Sequence, residues 1–155
     1  MPDDREYLLH AYQGNHHAVG LVLAIAEISH IWDDLIDGDK AVDDARINRA
    51  FTIALIEIPK NPFYQAHCLD LLPVMTTGAI NWLTSNEYEK STDEEAHALA
   101  HVMRYGIADI SLYIAYLIGG IEWAQEVSPH LRRIAQKDTL QNYLEEIRRK
   151  HADAE

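Results

Sequence analysis

The sequence predicts an all-α domain, a bundle of three long helices with several shorter helices packed around it. Glycine and proline are sparse, with seven and five in 155 residues, and most stand where helices would end. Alternating runs of β-branched residues, which indicate strands, are absent from the sequence. We expect residues 1–155 to form a single domain, because a chain of this length buries about 68–70% of its unfolded surface.

The first three helices are predicted from their end signals. A short helix covers residues 4–12, and a long helix covers residues 16–37 until Gly38 ends it. A third helix runs over residues 44–58, with an aspartate side chain capping its first turn and two prolines stopping it.

The later helices are longer and more apolar. A fourth helix covers residues 62–90 and is expected to bend near Pro73. A capping-box pair within residues 91–95 opens a fifth helix that reaches Gly119–Gly120. Two short helices follow, and the last helix, over residues 139–152, is amphipathic.

The charge balance excludes several classes of partner. The chain has 13 basic and 25 acidic residues, a formal net charge of −12. Neutralising phosphates needs Lys and Arg, so we expect no nucleic-acid partner. The chain also lacks the basic amphipathic face that binds an anionic membrane surface, whereas its acidity is compatible with hard divalent cations.

Location and assembly are predicted from a few further features. Cys68 is the single cysteine, so no internal disulfide is possible, and we expect a cytoplasmic protein. The most apolar stretch, Tyr105–Ile121, contains a carboxylate that would cost several kcal/mol in lipid, so we expect no membrane span. A short bundle with this apolar content is expected to form a homodimer.

Three aspartates stand at the C-terminal end of the second predicted helix. Helical spacing places Asp33 or Asp34 beside Asp37 on one face, and His30 lies on the same face. Carboxylates at the negative end of a helix dipole repel unless a cation compensates, and oxygen ligands suit Mg²⁺ or Mn²⁺. The alternative is a solvated helix terminus.

The segment Asp33-Asp34-Leu35-Ile36-Asp37 resembles the Asp-Asp-x-x-Asp motif of class I isoprenoid synthases. This resemblance implies an all-helical fold in which these aspartates bind the Mg²⁺ ions that hold a prenyl diphosphate. A second segment, with Asn81, Ser85 and Glu89, is similar to the Asn-x-x-x-Ser-x-x-x-Glu motif by which the related terpene cyclases bind another Mg²⁺. On a helix these three residues form one stripe.

The fifth predicted helix carries a polar residue at every fourth position from His97 to Tyr113. Within it, Asp109 is surrounded by apolar residues, and a buried carboxylate needs a partner. Two alternatives are open. Arg104 pairs with Asp109 across one turn, or Asp109 faces the aspartates at residues 33–37 as a metal or base residue while Arg104 contacts phosphate.

Two hypotheses for function follow. The first is a Mg²⁺- or Mn²⁺-dependent enzyme acting on a phosphate or diphosphate ligand, by ionisation of an allylic diphosphate or hydrolysis of a nucleotide diphosphate bond. Asp109 or His30 would be its base, and Arg104 would neutralise phosphate charge. Its predicted metal ligands are Asp33, Asp34, Asp37, Asn81, Ser85 and Glu89. The alternative is a non-enzymatic helical accessory protein, encoded by a phage or a bacterial operon, that works through subunit contacts.

Overall fold

The computed structural model describes residues 4–155, and within that range the protein is all-α and has no strand. This confirms the predicted fold class. The helices are α1 (Asp4–Ala11), α2 (His16–Asp37), α3 (Asp44–Thr52), a π-helical segment (Ile53–Glu57), α4 (Ile58–Lys60), α5 (Pro62–Glu89), α6 (Glu94–Met103), α7 (Gly106–Ala135) and α8 (Leu140–Asp153).

The core lies where the three longest helices, α2, α5 and α7, contact one another. Each of them contributes side chains that are almost fully buried, and α1 closes one side together with Tyr12, the residue that follows it. The largest buried side chains of this core are Tyr12, Leu21, Ile53, Leu71, Ile114 and Leu131. A second, smaller cluster of Ala100, Tyr143 and Ile147 attaches α8 to α6, so that α8 reaches the ends of α2 and α5.

The predicted fifth helix is wrong as a single element. The chain leaves the helical conformation at Tyr105, whose φ and ψ are −95° and 49°, and α7 begins at Gly106. A β-carbon built on Gly106 would lie 2.9 Å from the α-carbon of Gly78, so α5 and α7 cross with their backbones in close approach at these glycines. Because a glycine stands directly after the break, α7 crosses α5 more closely than it could if residue 106 had a side chain.

The start of α6 also differs from the prediction. Asp93 caps α6 by accepting from the backbone N–H of Glu95, so the predicted capping boxes do not form.

The predicted helix end at Gly119–Gly120 is confirmed as a break in α7. Gly120 leaves the helical conformation, with φ 81° and ψ −177°, and a second helical part of α7 follows this kink to Ala135.

One helical stretch, within Glu94–Asp153, passes as a membrane span by length and composition, with a mean hydropathy of 1.3 in its apolar window. A third of that window (33%) is buried inside the fold. One such stretch is weak evidence, since the core helices of globular domains meet the same criterion.

The glycine crossing gives an asymmetric prediction for stability. Gly106→Ala should destabilise the protein by about 1–3 kcal/mol, because its new methyl group meets backbone that has no room to move. Gly78→Ala is the matched control. Its methyl group would lie 3.5 Å from Gly106, an ordinary contact, and it gains helix propensity. Thermal unfolding of both variants checks this, and equal losses of stability would contradict it.

Candidate functional site

A small polar pocket of about 150 Å³ forms where the C-terminal ends of α2 and α5, the α6–α7 junction and α8 meet. We call it the acidic pocket. Six carboxylates line it, those of Asp33, Asp37, Asp39, Glu89, Asp138 and Glu146. Only two cations, Arg104 and Lys150, line the same pocket. The excess of negative charge makes this a place that favours a further cation.

Arg104 is the centre of the acidic pocket. It follows the last turn of α6, and its side chain is only 11% exposed. Its guanidinium donates to the carboxylates of Asp33, at 2.5 Å, and Glu89, at 2.7 Å, and approaches that of Asp37 at 3.5 Å. It also donates to the side chain of Asn86, at 3.0 Å. Three helices, α2, α5 and α6, are thus joined through one side chain.

Further polar side chains fix the carboxylates around Arg104. The indole N–H of Trp82 donates to Asp33 at 3.1 Å, and the hydroxyl of Tyr143 donates to Glu89. The Tyr143 ring also lies under the guanidinium, 6.0 Å from the ring centroid to the carbon of that group. Burial, followed by hydrogen bonding to Glu89, raises the pKa of Tyr143, so its hydroxyl remains a donor at neutral pH.

The charged form of Asp37 is unfavourable in the acidic pocket. Burial, and then the neighbouring charge of Asp33, raise the pKa of the Asp37 carboxyl, although Arg104 and Lys150 partly oppose them. Burial alone would lower the pKa of Arg104, but Glu89 and Asp33 more than offset it and raise the pKa. The pocket therefore favours the charged form of Arg104 and disfavours the charged form of Asp37.

An apolar cavity of about 390 Å³ lies on the other side of Arg104. Helices α2, α5 and α7 form its walls, together with the π-helical segment. Trp32 and Trp82 both line it and contact each other, with ring centroids 4.6 Å apart and ring planes tilted by 43°. Because Arg104 lines both spaces, the apolar cavity and the acidic pocket adjoin across its side chain.

The π-helical segment shapes the outer wall of the apolar cavity. Pro59 lacks a backbone N–H, so it cannot donate the α-helical hydrogen bond to the carbonyl four residues earlier. That carbonyl lies within the π-helical segment. Ala54, Ile58 and Pro59 then line the cavity. Arg49 fixes the segment to α2, since it donates to Glu27 at 2.9 Å and also pairs with Glu57.

The structure brings together only part of the first predicted metal motif. Asp33 and Asp37 line the acidic pocket, whereas Asp34 does not. Asp34 instead pairs with Arg46 of α3 at 2.8 Å. Asp34 therefore contacts α3 and points away from the acidic pocket, because neighbouring residues of a helix point about 100° apart.

The second predicted motif also contributes one residue. Glu89 lines the acidic pocket, but Asn81 and Ser85 do not. The Ser85 hydroxyl is fully buried and donates to the backbone carbonyl of Trp82 at 2.7 Å. The three residues lie on one helix as predicted, yet only the last one reaches beyond the packed part of α5.

Both predicted base residues lie away from the acidic pocket. Asp109 is half-exposed and pairs with Arg132 at 2.7 Å, so it is neither buried nor partnered by Arg104. The reason is the break at Tyr105, which rotates α7 relative to α6. His30 is exposed on α2 and lines neither the acidic pocket nor the apolar cavity. Asp109 and His30 therefore line neither of the two spaces, and their assignment as bases stays a prediction.

Some site residues could not be found from spacing. Lys150 pairs with Asp39 at 2.9 Å, and Tyr143 bonds Glu89, but both belong to α8, more than 50 residues from their partners. Their only sequence signal is the amphipathic pattern of the last helix. Buried His97 and His101 bond the backbone carbonyls of Ser91 and Asp138, so they are structural histidines.

Comparisons of the chain with protein-family models, curated proteins and solved structures give no match. The resemblance of residues 33–37 to class I isoprenoid synthases therefore stays a prediction that rests on those residues. The function has to be argued from the acidic pocket and the apolar cavity.

Because the charged form of Asp37 is unfavourable in the folded state, we expect Asp37→Asn to stabilise the protein at pH 7. The melting temperature should rise by roughly 2–4 °C. A raised carboxyl pKa means that the folded state favours the protonated form, and that stabilisation is lost as the pH rises through the folded-state pKa. The gain should therefore shrink as the pH falls through the folded-state pKa of Asp37, since the wild-type carboxyl then also becomes protonated.

Asp34→Asn is the control for this measurement, which is thermal unfolding across the pH range. It loses the Arg46 ion pair and relieves no repulsion, so its melting temperature should stay level or fall. A lower melting temperature for Asp37→Asn at pH 7 would show that Asp37 is a stabilising ion-pair partner.

Proposed function

We propose that this protein binds a small molecule that carries a diphosphate and an apolar tail, together with Mg²⁺ or Mn²⁺. The supporting observation is that the apolar cavity and the acidic pocket adjoin at Arg104. An amphiphilic ligand would place its tail among the cavity side chains and its charged head beside the guanidinium. The cavity volume, about 390 Å³, lies within the range of small-molecule sites.

The donor set of the acidic pocket suits a hard divalent cation. Asp33, Asp37 and Glu89 offer carboxylate oxygens, the ligands that Mg²⁺ prefers, and they are the residues that would hold it. Within residues 4–155 no three acidic, histidine or cysteine side chains converge as a ready metal site. Arg104 takes up the same oxygens instead. We therefore propose that the cation and the diphosphate bind together.

A diphosphate would change the partners of Arg104. Its guanidinium presents several donors in one plane, which matches phosphate oxygens as well as carboxylates. The cation would neutralise diphosphate charge and assist the departure of pyrophosphate. Tyr143, held protonated, keeps donating to Glu89, and the apolar walls keep water from the tail.

The lining of the apolar cavity favours an allylic diphosphate over a nucleotide. A nucleobase needs hydrogen-bond partners, but among the lining side chains the Ser29 hydroxyl already donates to the carbonyl of Ile25. Trp32 and Trp82 line the cavity and offer aromatic faces, which attract positive charge developing on a hydrocarbon. Ionisation of an allylic diphosphate is therefore the reaction class we propose, in the cytoplasm.

A non-enzymatic binding or accessory protein is the second candidate. The observation that favours it is the completeness of the ion-pair network around Arg104, which requires no metal. Among the described residues, every buried side-chain polar atom has a hydrogen-bond partner. In this reading the acidic pocket only joins α2, α5, α6 and α8.

Thermal unfolding distinguishes the two candidates. Mg²⁺ together with inorganic pyrophosphate, at about 100 times the dissociation constant, should stabilise the protein by about 2.7 kcal/mol, whereas either alone should give a smaller shift. Asp33→Asn should remove most of the combined shift. Asp109→Asn, half-exposed and paired with Arg132 away from both spaces, should retain it. No combined shift for the wild type would leave the non-enzymatic candidate.

The apolar tail is tested separately by filling the cavity. Ala79→Phe should weaken binding of a ten-carbon allylic diphosphate, measured by calorimetry with Mg²⁺ present, at least tenfold, because the new ring occupies space that the tail needs. The Mg²⁺–pyrophosphate shift should remain. Equal affinity of wild type and variant for the tailed ligand would refute the cavity as its binding site.

A further inference from the structure

The longest exposed apolar surface follows α5. This helix carries no charged side chain between Asp70 and Glu87. Large apolar side chains on such an uncharged stretch are normally buried. Here its outward side exposes four large apolar side chains, with exposed fractions of 81% for Leu69, 44% for Leu72, 57% for Ile80 and 53% for Leu83. With Thr76, we call them the outer face of α5.

The total surface of the chain points to a missing partner. Its accessible area is 9408 Å², whereas a monomer of 17.7 kDa is expected to expose about 8,000 Å². The excess is roughly 1,400 Å² per chain. A stable interface of standard size covers about 800 Å² on each partner. One additional protein contact of ordinary to large size would account for this excess.

The order of residues along the outer face shows what covers it. The face is symmetric about Thr76, since Leu72 and Ile80 lie four residues to either side, and Leu69 and Leu83 lie seven residues to either side. An antiparallel pair of identical helices related by a two-fold axis brings such positions together. Leu69 then meets the partner's Leu83, and the two Thr76 residues meet at the axis.

Charge at the ends of the face favours the antiparallel direction. Glu87 is exposed at the C-terminal end of the face, eleven residues beyond Thr76. Glu87 pairs with Lys90 of its own chain at 2.6 Å, but both side chains are exposed, so this pair offsets little of the repulsion between two Glu87 carboxylates that a parallel pair would bring together. In the antiparallel pair Glu87 lies opposite Gln65 of the other copy, close to the positive N-terminal end of its α5.

We infer that a second copy of this chain docks on the outer face of α5, antiparallel, with the two-fold axis at Thr76. The inference does not depend on the proposed ligand. Trp82 and Glu89 lie on the same helix but point inward, to the apolar cavity and the acidic pocket. Docking on the outer face therefore leaves both spaces open within each subunit.

Sedimentation equilibrium tests the assembly. The wild type should sediment at twice the 17.7 kDa chain mass at micromolar concentration. The double variant Leu72→Glu/Ile80→Glu should be monomeric, because it places four carboxylates in the interface. Leu140→Glu is the matched control, 42% exposed at the start of α8, and should remain dimeric. A monomeric wild type would overturn the inference and assign the face to a different partner.

Cross-linking tests the position of the axis without a destabilising substitution. In a Cys68→Ser background, Thr76→Cys should form a disulfide-linked dimer on mild oxidation, because the two residues meet at the axis. Glu145→Cys, exposed on α8, should remain largely monomeric under the same conditions. Equal cross-linking of both variants, or none for Thr76→Cys in a dimeric protein, would refute this geometry.

Discussion

The ion pairs of Arg104 are the interaction on which one end of this fold depends, the end where α2, α5, α6 and α8 meet. Three carboxylates from two long helices share one guanidinium that is almost withdrawn from solvent. Removing the guanidinium from such a cluster would leave several carboxylates uncompensated, which costs far more than a surface ion pair contributes. The break between α6 and α7 comes directly after Arg104.

The same residue separates two chemically different spaces. Carboxylates outnumber cations in the acidic pocket, while aliphatic and tryptophan side chains line the apolar cavity. The proposal of a ligand with a polar head and an apolar tail rests on this juxtaposition, since neither space by itself would suggest it. Helix α5 joins the two, because it carries Trp82 beside the cavity, Glu89 in the pocket and the outer face on its far side.

The two motifs show which residues of the acidic pocket the sequence spacing could predict and which it could not. Spacing predicted that Asp33 and Asp37 share a face and that Glu89 lies on a second helix, and all three line one pocket. It could not distinguish Asp33 from Asp34, because that choice depends on which side of α2 meets α3. Ser85 satisfies the motif by spacing, but its position on α5 is buried and its hydroxyl bonds the helix backbone.

The sequence by itself determined the all-α class, most helix boundaries and the acidic character of the site, since these follow from local periodicity, caps and composition. Only the tertiary structure decided the break at Tyr105, the exposed position of Asp109 and the contribution of Tyr143 and Lys150. The physical reason is that these features depend on where helices cross. A backbone contact such as that between Gly78 and Gly106 joins residues far apart in the chain, and local spacing carries no information about it.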